Sequence, residues 1–284
     1  MSVSGGIDRR GGPGQSVAAR LLANLTAWGT GLFGTARARP VPLAPLPISR
    51  LALGVAATIA AVAFAMLVLD SWAVAHHGSI PVVIIAVFEE LSDFGRSNWF
   101  LLPSGIALVV IATTASPALG RMAFGVLTSL AARLGFVFIA VALPSLVVTI
   151  GKRLIGRARP LRGDHSDFYF MPFAWRSEFA SMPSGHSTTA FAAAVALGAL
   201  FPRARAALWI YAALIALSRV ILIAHYASDV VAGAVVGACG ALLVRRWFAA
   251  RRIAFGVTPD GTIRAMPGPS LRRIKRVAGR LLGQ

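Results

Sequence analysis

The chain has 284 residues, of which 57% are hydrophobic and only 13% are charged, whereas soluble domains carry about 25% charged residues. Its mean hydropathy is +0.73 and its formal net charge is +18. This composition excludes an ordinary soluble globular domain and a disordered chain alike.

The N-terminal segment is basic and rich in glycine and proline. Residues 1–49 lack the apolar core and the small-residue cleavage site of a secretory signal. A proline-rich stretch, PVPLAPLP, occupies residues 40–47. We therefore predict a disordered tail over 1–49, followed by an uncleaved first membrane span.

Six apolar segments predict membrane-spanning helices, because a hydrocarbon layer of about 30 Å is crossed by about 20 apolar residues. The segments are 51–69, 97–120, 134–151, 187–201, 206–224 and 230–244. The last three are shorter or are interrupted by Arg219. Residues 80–88 are too few to cross, and we expect them to lie on the membrane surface or to cap the bundle. The predicted fold is an all-α, six-helix membrane bundle.

The basic residues predict the topology. Residues 1–50 carry six arginines, the 203–205 loop carries two, and residues 245–284 carry ten basic side chains. Six spans place both termini on one side, and the positive-inside rule places that side in the cytoplasm. We therefore expect a multi-pass inner-membrane protein with a basic cytoplasmic tail over 249–284, in which the segment 255–270, which contains Gly, Pro and Thr, folds weakly. Topology and anionic lipids account for this charge, so we expect no nucleic-acid partner.

The single cysteine limits the chemistry that is possible. Cys239 excludes an intramolecular disulfide and a thiolate metal cluster. It lies in an apolar stretch, where we expect a small buried side chain.

Three polar clusters interrupt the apolar sequence at Lys152–Pro160, Ser181–His186 and Ser218–Asp229. A charge near the bilayer centre costs about 2.5 to 3.5 kcal/mol, so a charge that persists needs a partner or a function. In the predicted topology all three clusters fall at the extracytoplasmic end of the bundle. They therefore indicate one site.

The residue types in these clusters suit an anion. Lys152, Arg159 and Arg219 supply positive charge, and Ser184 and Gly185 supply a hydroxyl and backbone amides. Guanidinium forks and backbone N–H groups bind phosphate oxygens and stabilise the charge that develops on them. The sequence predicts a phosphate site.

Two histidines accompany these donors. His225 and Asp229 are four residues apart, so the carboxylate can hold one imidazole nitrogen protonated and leave the other free. His186 follows Gly185 at the start of the fourth span. One histidine suits a nucleophile and the other a proton donor, but the spacing alone does not decide which is which.

The three clusters resemble the motifs of the type 2 phosphatidic acid phosphatase family, KxxxxxxRP, PSGH and SRxxxxxHxxxD. Lys152, Arg159 and Pro160 match the first motif. Residues 183–186 match the second, and Ser218, Arg219, His225 and Asp229 match the third, with every spacing kept. The resemblance covers roughly residues 95–248, within a predicted membrane domain of residues 50–248.

The resemblance implies a two-step, metal-independent phosphatase that uses no cofactor. It implies that His225 is the nucleophile, that Asp229 orients it and that His186 protonates the leaving lipid alcohol. It assigns phosphate binding to Lys152, Arg159, Ser184, Gly185 and Arg219. The expected partners are a lipid phosphate substrate and membrane lipids. The candidate substrates are undecaprenyl diphosphate, phosphatidylglycerol phosphate, phosphatidic acid and the phosphates of lipid A.

Several alternatives remain open. The same motifs serve a phosphotransferase, and a non-catalytic lipid-binding protein can share the fold. The aromatic stretch 161–182 either lines an entrance for lipid or rests on the interface. We also consider that Arg153, Arg157 or Arg162 contacts a second phosphate. The Gly233 and Gly237 pair predicts close helix packing within the bundle.

Overall fold

The computed structural model describes residues 16–33, 43, 45, 47–161 and 168–282. Much of the predicted N-terminal tail, the proline-rich stretch apart from single residues, and Arg162 lie outside these ranges. The described helices are α1 (Val17–Phe33), α2 (Ile48–Phe64), α3 (Asp70–His76), α4 (Val82–Asp93), α5 (Asn98–Thr114), α6 (Arg121–Ile155), α7 (Gly185–Leu200), α8 (Arg205–Ile221), α9 (Ala227–Ala250) and α10 (Leu271–Leu281). A π-helical segment, Ala65–Leu69, joins α2 to α3, and two antiparallel strands, β1 (Phe255–Val257) and β2 (Ile263–Ala265), precede α10.

The architecture is the predicted all-α membrane bundle. In the described ranges, five helical stretches are long and apolar enough to cross a membrane, and α7 is a shorter apolar helix. The five are Ile48–Ser79, Val82–Thr114, Arg121–Ile155, Pro202–Ile221 and Ala227–Ala250. The helix α7 packs against α9, α8 and α6, and its alanines are almost all buried. A helix enclosed by its neighbours meets little lipid. This explains why α7, with only 16 residues, can occupy the interior of the bundle.

Close packing between α7 and α9 depends on two glycines. A Cβ added to Gly233 would lie 2.4 Å from the carbonyl oxygen of Ser184, and one added to Gly237 would lie 2.2 Å from that of Thr188. No side chain fits at either position, so the backbones of the two helices touch. This confirms the predicted role of the glycine pair, and it joins the second sequence cluster to the helix that carries the third.

The segment predicted to lie on the membrane surface belongs to a longer helix. α4 runs from Val82 through both glutamates to Asp93, and it packs against α8. Tyr211 of α8 donates a hydrogen bond of 2.8 Å to the carbonyl of Phe94 at the end of α4. A Cβ added to Gly95 in the turn between α4 and α5 would lie 2.9 Å from Cδ2 of His186, so this turn lies beside the second polar cluster.

The chain ends are more ordered than the sequence predicted. In the N-terminal segment, Asn24 of α1 donates hydrogen bonds of 2.9 and 2.8 Å to the carbonyls of Ala112 and Ala115 at the end of α5. In the C-terminal tail, Phe255 of β1 is 1% exposed and packs edge-on against Phe136 of α6. Val277 of α10 is buried against α5 and α6. The prediction of weakly folded tails is wrong over α1 and the β1–β2 hairpin, because a few apolar residues in a basic stretch are enough to dock it.

Cys239 is exposed on α9, so the prediction of a buried thiol is wrong. An apolar thiol on the outside of a membrane-spanning helix meets lipid, where it loses no hydrogen bond.

Candidate active site

The turn between α8 and α9 positions His225. The carbonyl of Arg219 accepts hydrogen bonds from the backbone N–H groups of Ala224 and His225, at 3.1 and 3.2 Å. These bonds satisfy the end of α8 and wrap the chain back on itself. Ile223 has a positive φ of 47° within this turn. His225 therefore sits at a fixed point between two membrane helices, and its side chain is 3% exposed.

The N-terminus of α7 holds the second cluster. Ser184 is the N-cap residue, and its hydroxyl accepts hydrogen bonds from the backbone N–H and the hydroxyl of Ser187, at 3.5 and 3.1 Å. Gly185 and His186 are the first two residues of the helix, where backbone N–H groups have no helical acceptor. Such an N-terminus attracts anions.

The second and third clusters are joined through the backbone. The N–H of Ser184 donates a 2.9 Å hydrogen bond to the carbonyl of Asp229 in the first turn of α9. The N-terminal ends of α7 and α9 are therefore adjacent, which places His186 and His225 at the same end of the bundle.

The first cluster reaches the site from the end of α6. A Cβ added to Gly185 would lie 3.5 Å from Nζ of Lys152, so the ammonium group faces the start of α7. Arg159 donates hydrogen bonds to the carbonyls of Ser177, at 3.1 Å, and Ala224, at 2.8 Å. Arg159 therefore links the loop after α6 to the residue that precedes His225.

The cations of the site are concentrated. The charges of Arg159, Arg153 and Arg219 all act on Lys152, and Arg219 donates a hydrogen bond to the hydroxyl of Ser92 in α4. This brings Lys152, Arg159 and Arg219, which the sequence assigns to phosphate binding, into one electrostatic cluster. Such a cluster is stabilised when an anion binds.

Asp229 is held by several donors. Its Oδ2 accepts hydrogen bonds from the hydroxyl of Ser181, at 2.5 Å, and from the backbone N–H of Tyr226, at 3.0 Å. The Nδ1 of His225 lies 3.7 Å from the same oxygen. This separation is longer than a hydrogen bond, so in this structure the carboxylate acts on the imidazole through its charge.

The other oxygen of Asp229 pairs with Arg157, which in turn pairs with Asp70. The Arg157 guanidinium lies 2.8 Å from Oδ1 of Asp229 and 2.8 Å from Oδ2 of Asp70, and all three side chains are fully buried. Ser228 closes the network by hydrogen bonding to Arg157, at 2.6 Å, and to Asp70. The guanidinium also stacks over the ring of Tyr226, at 4.1 Å.

Sequence reasoning missed this network. It ended the first span at Leu69, one residue before Asp70, and it considered Arg157 for contact with a second phosphate. The burial and ion pairs of Arg157 exclude that contact. The detectable signal was the carboxylate itself, because an acidic residue within Ile48–Ser79 is expensive in a membrane and requires a partner.

The burial of the site and the charges within it shift the pKa values of two of its residues. Burial lowers the pKa of His225 to about 4, although the Asp229 carboxylate opposes the shift. The imidazole is therefore neutral at pH 7, with one nitrogen available as a nucleophile. For Arg157, burial lowers the pKa, but Asp229 and Asp70 outweigh it and the net pKa is raised.

The aromatic stretch after Arg159 packs against the C-terminal end of α6. The backbone N–H of Met171 donates a 2.7 Å hydrogen bond to the carbonyl of Gly156. A Cβ added to Gly156 would lie 1.7 Å from the carbonyl oxygen of Met171, so only glycine fits at this position. Phe179 is buried, while the other aromatic side chains are exposed, namely Phe168, Tyr169, Phe170, Phe173 and Trp175. Arg153 donates to the carbonyl of Arg176 in this stretch.

These elements bring the predicted site residues together in space. A neutral imidazole, a second histidine, a cluster of cations and a helix N-terminus meet at one end of a membrane bundle. Residues 133–253 match the PAP2 superfamily, and the chain belongs to this superfamily. No solved structure matches the chain significantly.

Two curated relatives match the chain over most of its length. A lipid A 1-phosphatase of Rhizobium johnstonii is 36% identical over 214 residues, which cover 72% of this chain and 83% of that protein. A lipid A 1-phosphatase of Rhizobium etli is 35% identical, covering 72% of this chain and 88% of that protein. The chain is a multi-pass membrane lipid phosphatase of the PAP2 type.

Proposed function

We propose that this chain removes a phosphate group from a lipid at the extracytoplasmic face of the inner membrane through a phosphohistidine intermediate. The observation that carries the proposal is the placement of His225 beside the Asp229 carboxylate, 3.7 Å from its Nδ1, where the charges of Arg159 and Arg219 also act on it. Nδ1 faces the carboxylate, which leaves Nε2 for attack.

In the first step, Nε2 of His225 attacks phosphorus while the bond between phosphorus and the lipid oxygen breaks. A protonated His186 gives its proton to the lipid oxygen and becomes neutral, and the lipid leaves as an alcohol, or as a lipid phosphate if the substrate is a diphosphate. The Asp229 carboxylate stabilises the positive charge that develops on the ring of His225. The spacing of the histidines left their roles open, and the carboxylate beside His225 favours it as the nucleophile.

In the second step, water attacks the phosphohistidine and gives a proton to His186. The bond between phosphorus and nitrogen breaks, inorganic phosphate leaves, and both histidines return to their starting states. The whole cycle consumes one water molecule and requires no metal or cofactor. His186 therefore acts first as an acid and then as a base.

The remaining predicted residues bind the phosphate oxygens. Lys152, Arg159 and Arg219 neutralise the charge, and the N-terminus of α7 at Gly185 supplies backbone donors. The Ser184 hydroxyl caps α7 and so orients those donors. These groups lower the transition-state energy because they are in place before charge develops.

Asp70 and Arg157 are positioning residues in this proposal. Arg157, held by Asp70, pairs with Oδ1 of Asp229. Ser181 and Tyr226 donate hydrogen bonds to Oδ2, the oxygen that faces His225. A carboxylate fixed through both oxygens cannot rotate away from the imidazole. The network thus ties the first membrane span to the nucleophile.

The 1-phosphate of lipid A is our first choice of substrate. The support is the name shared by both relatives, which cover most of this chain at 35–36% identity. Undecaprenyl diphosphate, phosphatidylglycerol phosphate and phosphatidic acid remain the comparison substrates. The exposed aromatic side chains beside the site are suited to contact with a lipid at headgroup depth.

The proposed topology places both termini in the cytoplasm and the site at the periplasmic face. The support is the concentration of basic residues in the two terminal segments, which flank the part of the sequence that carries the motifs. We propose a membrane domain over 50–248, flanked by the basic segments 1–49 and 249–284, in which α1 and α10 dock onto the bundle end.

Phosphate release by the purified protein tests the activity. The four lipids are compared with EDTA present, with His225→Ala as the inactive control. Release from lipid A that survives EDTA and is lost in the variant supports the proposal. Release from another lipid only would overturn the substrate assignment. Transfer of labelled phosphate to an added lipid acceptor, without free phosphate, would favour the phosphotransferase.

The intermediate is tested separately with substrate labelled at its phosphate. A rapid alkaline quench preserves phosphohistidine, so labelled protein is expected from the wild type and not from His225→Ala. Mapping the label to His186 instead would reverse the two roles.

A further inference from the structure

A cavity lies at the end of the bundle opposite the candidate active site. It has a volume of about 630 Å³, within the range of pockets that bind small ligands. Its walls come from the end of α7, the start of α8, the end of α9 and the β1–β2 hairpin. The lining includes Leu200, Pro202, Arg205, Arg245, Phe255 and Arg264.

Three arginines line this cavity, and one of them, Arg205, donates a 3.4 Å hydrogen bond from its Nε to the carbonyl of Gly198. Across the part of the chain that the structure describes, no ion pair involves Arg205, Arg245 or Arg264. The Nε of Arg245 is buried and has no hydrogen-bond partner there. A buried donor without an acceptor is destabilising, so an anion that accepts a hydrogen bond from this group would stabilise the cavity wall.

The surroundings add to the positive potential. The charges of Arg205 and Arg246 both repel that of Arg245. Arg205 is also the first residue of α8, where the positive end of the helix dipole disfavours a cation. From Arg205 to the end of the described chain, the acidic residues are Asp229, at the far end of α9, and Asp260, which binds Thr258 and Thr262.

We propose that this cavity binds a phosphate-bearing anion, with the three arginines as its ligands. Guanidinium groups match phosphate oxygens in charge and geometry, and the apolar side chains of Leu200, Pro202 and Phe255 contact the rest of the ligand. The headgroup of an anionic phospholipid and a free phosphate share this chemistry.

The cavity is distinct from the catalytic site. Arg245 follows Asp229 by 16 residues on the same helix, which separates them by about 24 Å at 1.5 Å per residue. In the proposed topology it opens toward the cytoplasmic leaflet, whereas hydrolysis takes place at the opposite face. Occupancy of this cavity would hold the C-terminal hairpin, which carries Arg264, against α7, α8 and α9.

Binding is tested with the purified full-length protein in neutral detergent. Thermal unfolding is measured against inorganic phosphate, with chloride at equal ionic strength as the control. In a second arm, mixed micelles with phosphatidylglycerol are compared with micelles containing phosphatidylcholine. The test variant is Arg245→Gln/Arg264→Gln, and the matched control is Arg203→Gln, an exposed arginine of the same loop region that does not line the cavity.

We expect the double variant to weaken the apparent affinity for the stabilising anion at least about tenfold, since a hydrogen bond to a charged group contributes about 1.5–3 kcal/mol. Stabilisation by phosphatidylglycerol only identifies a lipid headgroup, and stabilisation by phosphate identifies a free anion. Equal affinities in the wild type, Arg203→Gln and the double variant would overturn the proposal. Any binding at the catalytic site contributes equally to all three proteins.

Two further measurements show whether a loss of anion binding reflects the cavity itself. One tests whether the variant folds, and the other tests the catalytic proposal independently. Arg264→Gln alone changes an exposed side chain and preserves the fold, and it is expected to weaken binding in the same direction. Phosphatase activity in neutral detergent is expected to be retained in both variants, because the catalytic residues are untouched.

Discussion

Asp70 and Arg157 are 87 residues apart in the chain, and they form a 2.8 Å ion pair in which both side chains are fully buried. Arg157 extends the pair to Asp229 at the same distance. Through this pair the first membrane span, which carries none of the three sequence motifs, supports the carboxylate that faces His225.

Replacement of Asp70 by Asn is expected to lower kcat at least about tenfold with little change in KM, because it removes the charge that holds Arg157 but no group that binds substrate. We expect a loss of roughly 1–3 kcal/mol in stability as well. Steady-state kinetics and thermal unfolding measure both effects. Asp93→Asn is the matched control, since Asp93 pairs with Arg96 at the surface. Equal kcat values in the two variants would remove Asp70 from the mechanism.

Replacement of His225 by Ala is expected to reduce turnover at least about 10³-fold while the protein remains folded in the membrane. The reason is that no other described side chain combines a neutral imidazole with a neighbouring carboxylate. Phosphate release and size-exclusion behaviour in detergent are measured together. Ordinary turnover in a well-folded variant would refute the nucleophile assignment.

Replacement of Arg219 by Ala is expected to slow turnover about 10²- to 10³-fold, because one transition-state donor contributes about 3–4 kcal/mol. The backbone carbonyl of Arg219, which supports the His225 turn, is retained in the variant. A decrease below tenfold in kcat/KM would assign Arg219 a structural role through its bond to Ser92.

The protonation of His225 is expected near pH 4, below the ordinary histidine value of 6.5, because burial disfavours the charged ring. Its folded pKa lies below its unfolded pKa, so this residue's contribution to stability is complete above about pH 6.5 and is lost as the pH falls toward 4. A nuclear magnetic resonance titration of labelled histidine, assigned with His225→Ala, measures the pKa. Titration near 6.5 would contradict the burial described above.

Replacement of Gly233 by Ala is expected to destabilise the bundle by roughly 1–3 kcal/mol, since the added methyl group would overlap the Ser184 carbonyl. Activity is expected to fall as well, because the start of α7 would shift. Gly125→Ala on α6 is the matched control, with no atom within 4 Å of the added Cβ. Unfolding temperature and phosphate release distinguish the two variants. Identical behaviour would mean that α7 and α9 separate easily.

Most of the bundle was predictable, because membrane spans are encoded by local runs of apolar residues. The polar clusters were equally visible, since a charged or hydrogen-bonding residue in such a sequence is expensive. Motif spacing also placed His225 near Asp229, although His225 lies in the turn before α9 and not on the helix itself. The α7 helix was predicted although it is short. Its own alanines are buried against neighbouring helices, so it needs less length than a helix that faces lipid.

The sequence by itself determined the class of fold, the residues brought to the site and their suitability for phosphate. Only the tertiary structure decided that Asp70 and Arg157 belong to the support of Asp229, that Arg157 is closed to a second phosphate, and that the tails dock on the bundle. Hydropathy and spacing describe neighbours along the chain. An ion pair between distant residues, or a hairpin held by one buried Phe255, depends on which surfaces meet, and that is settled by packing.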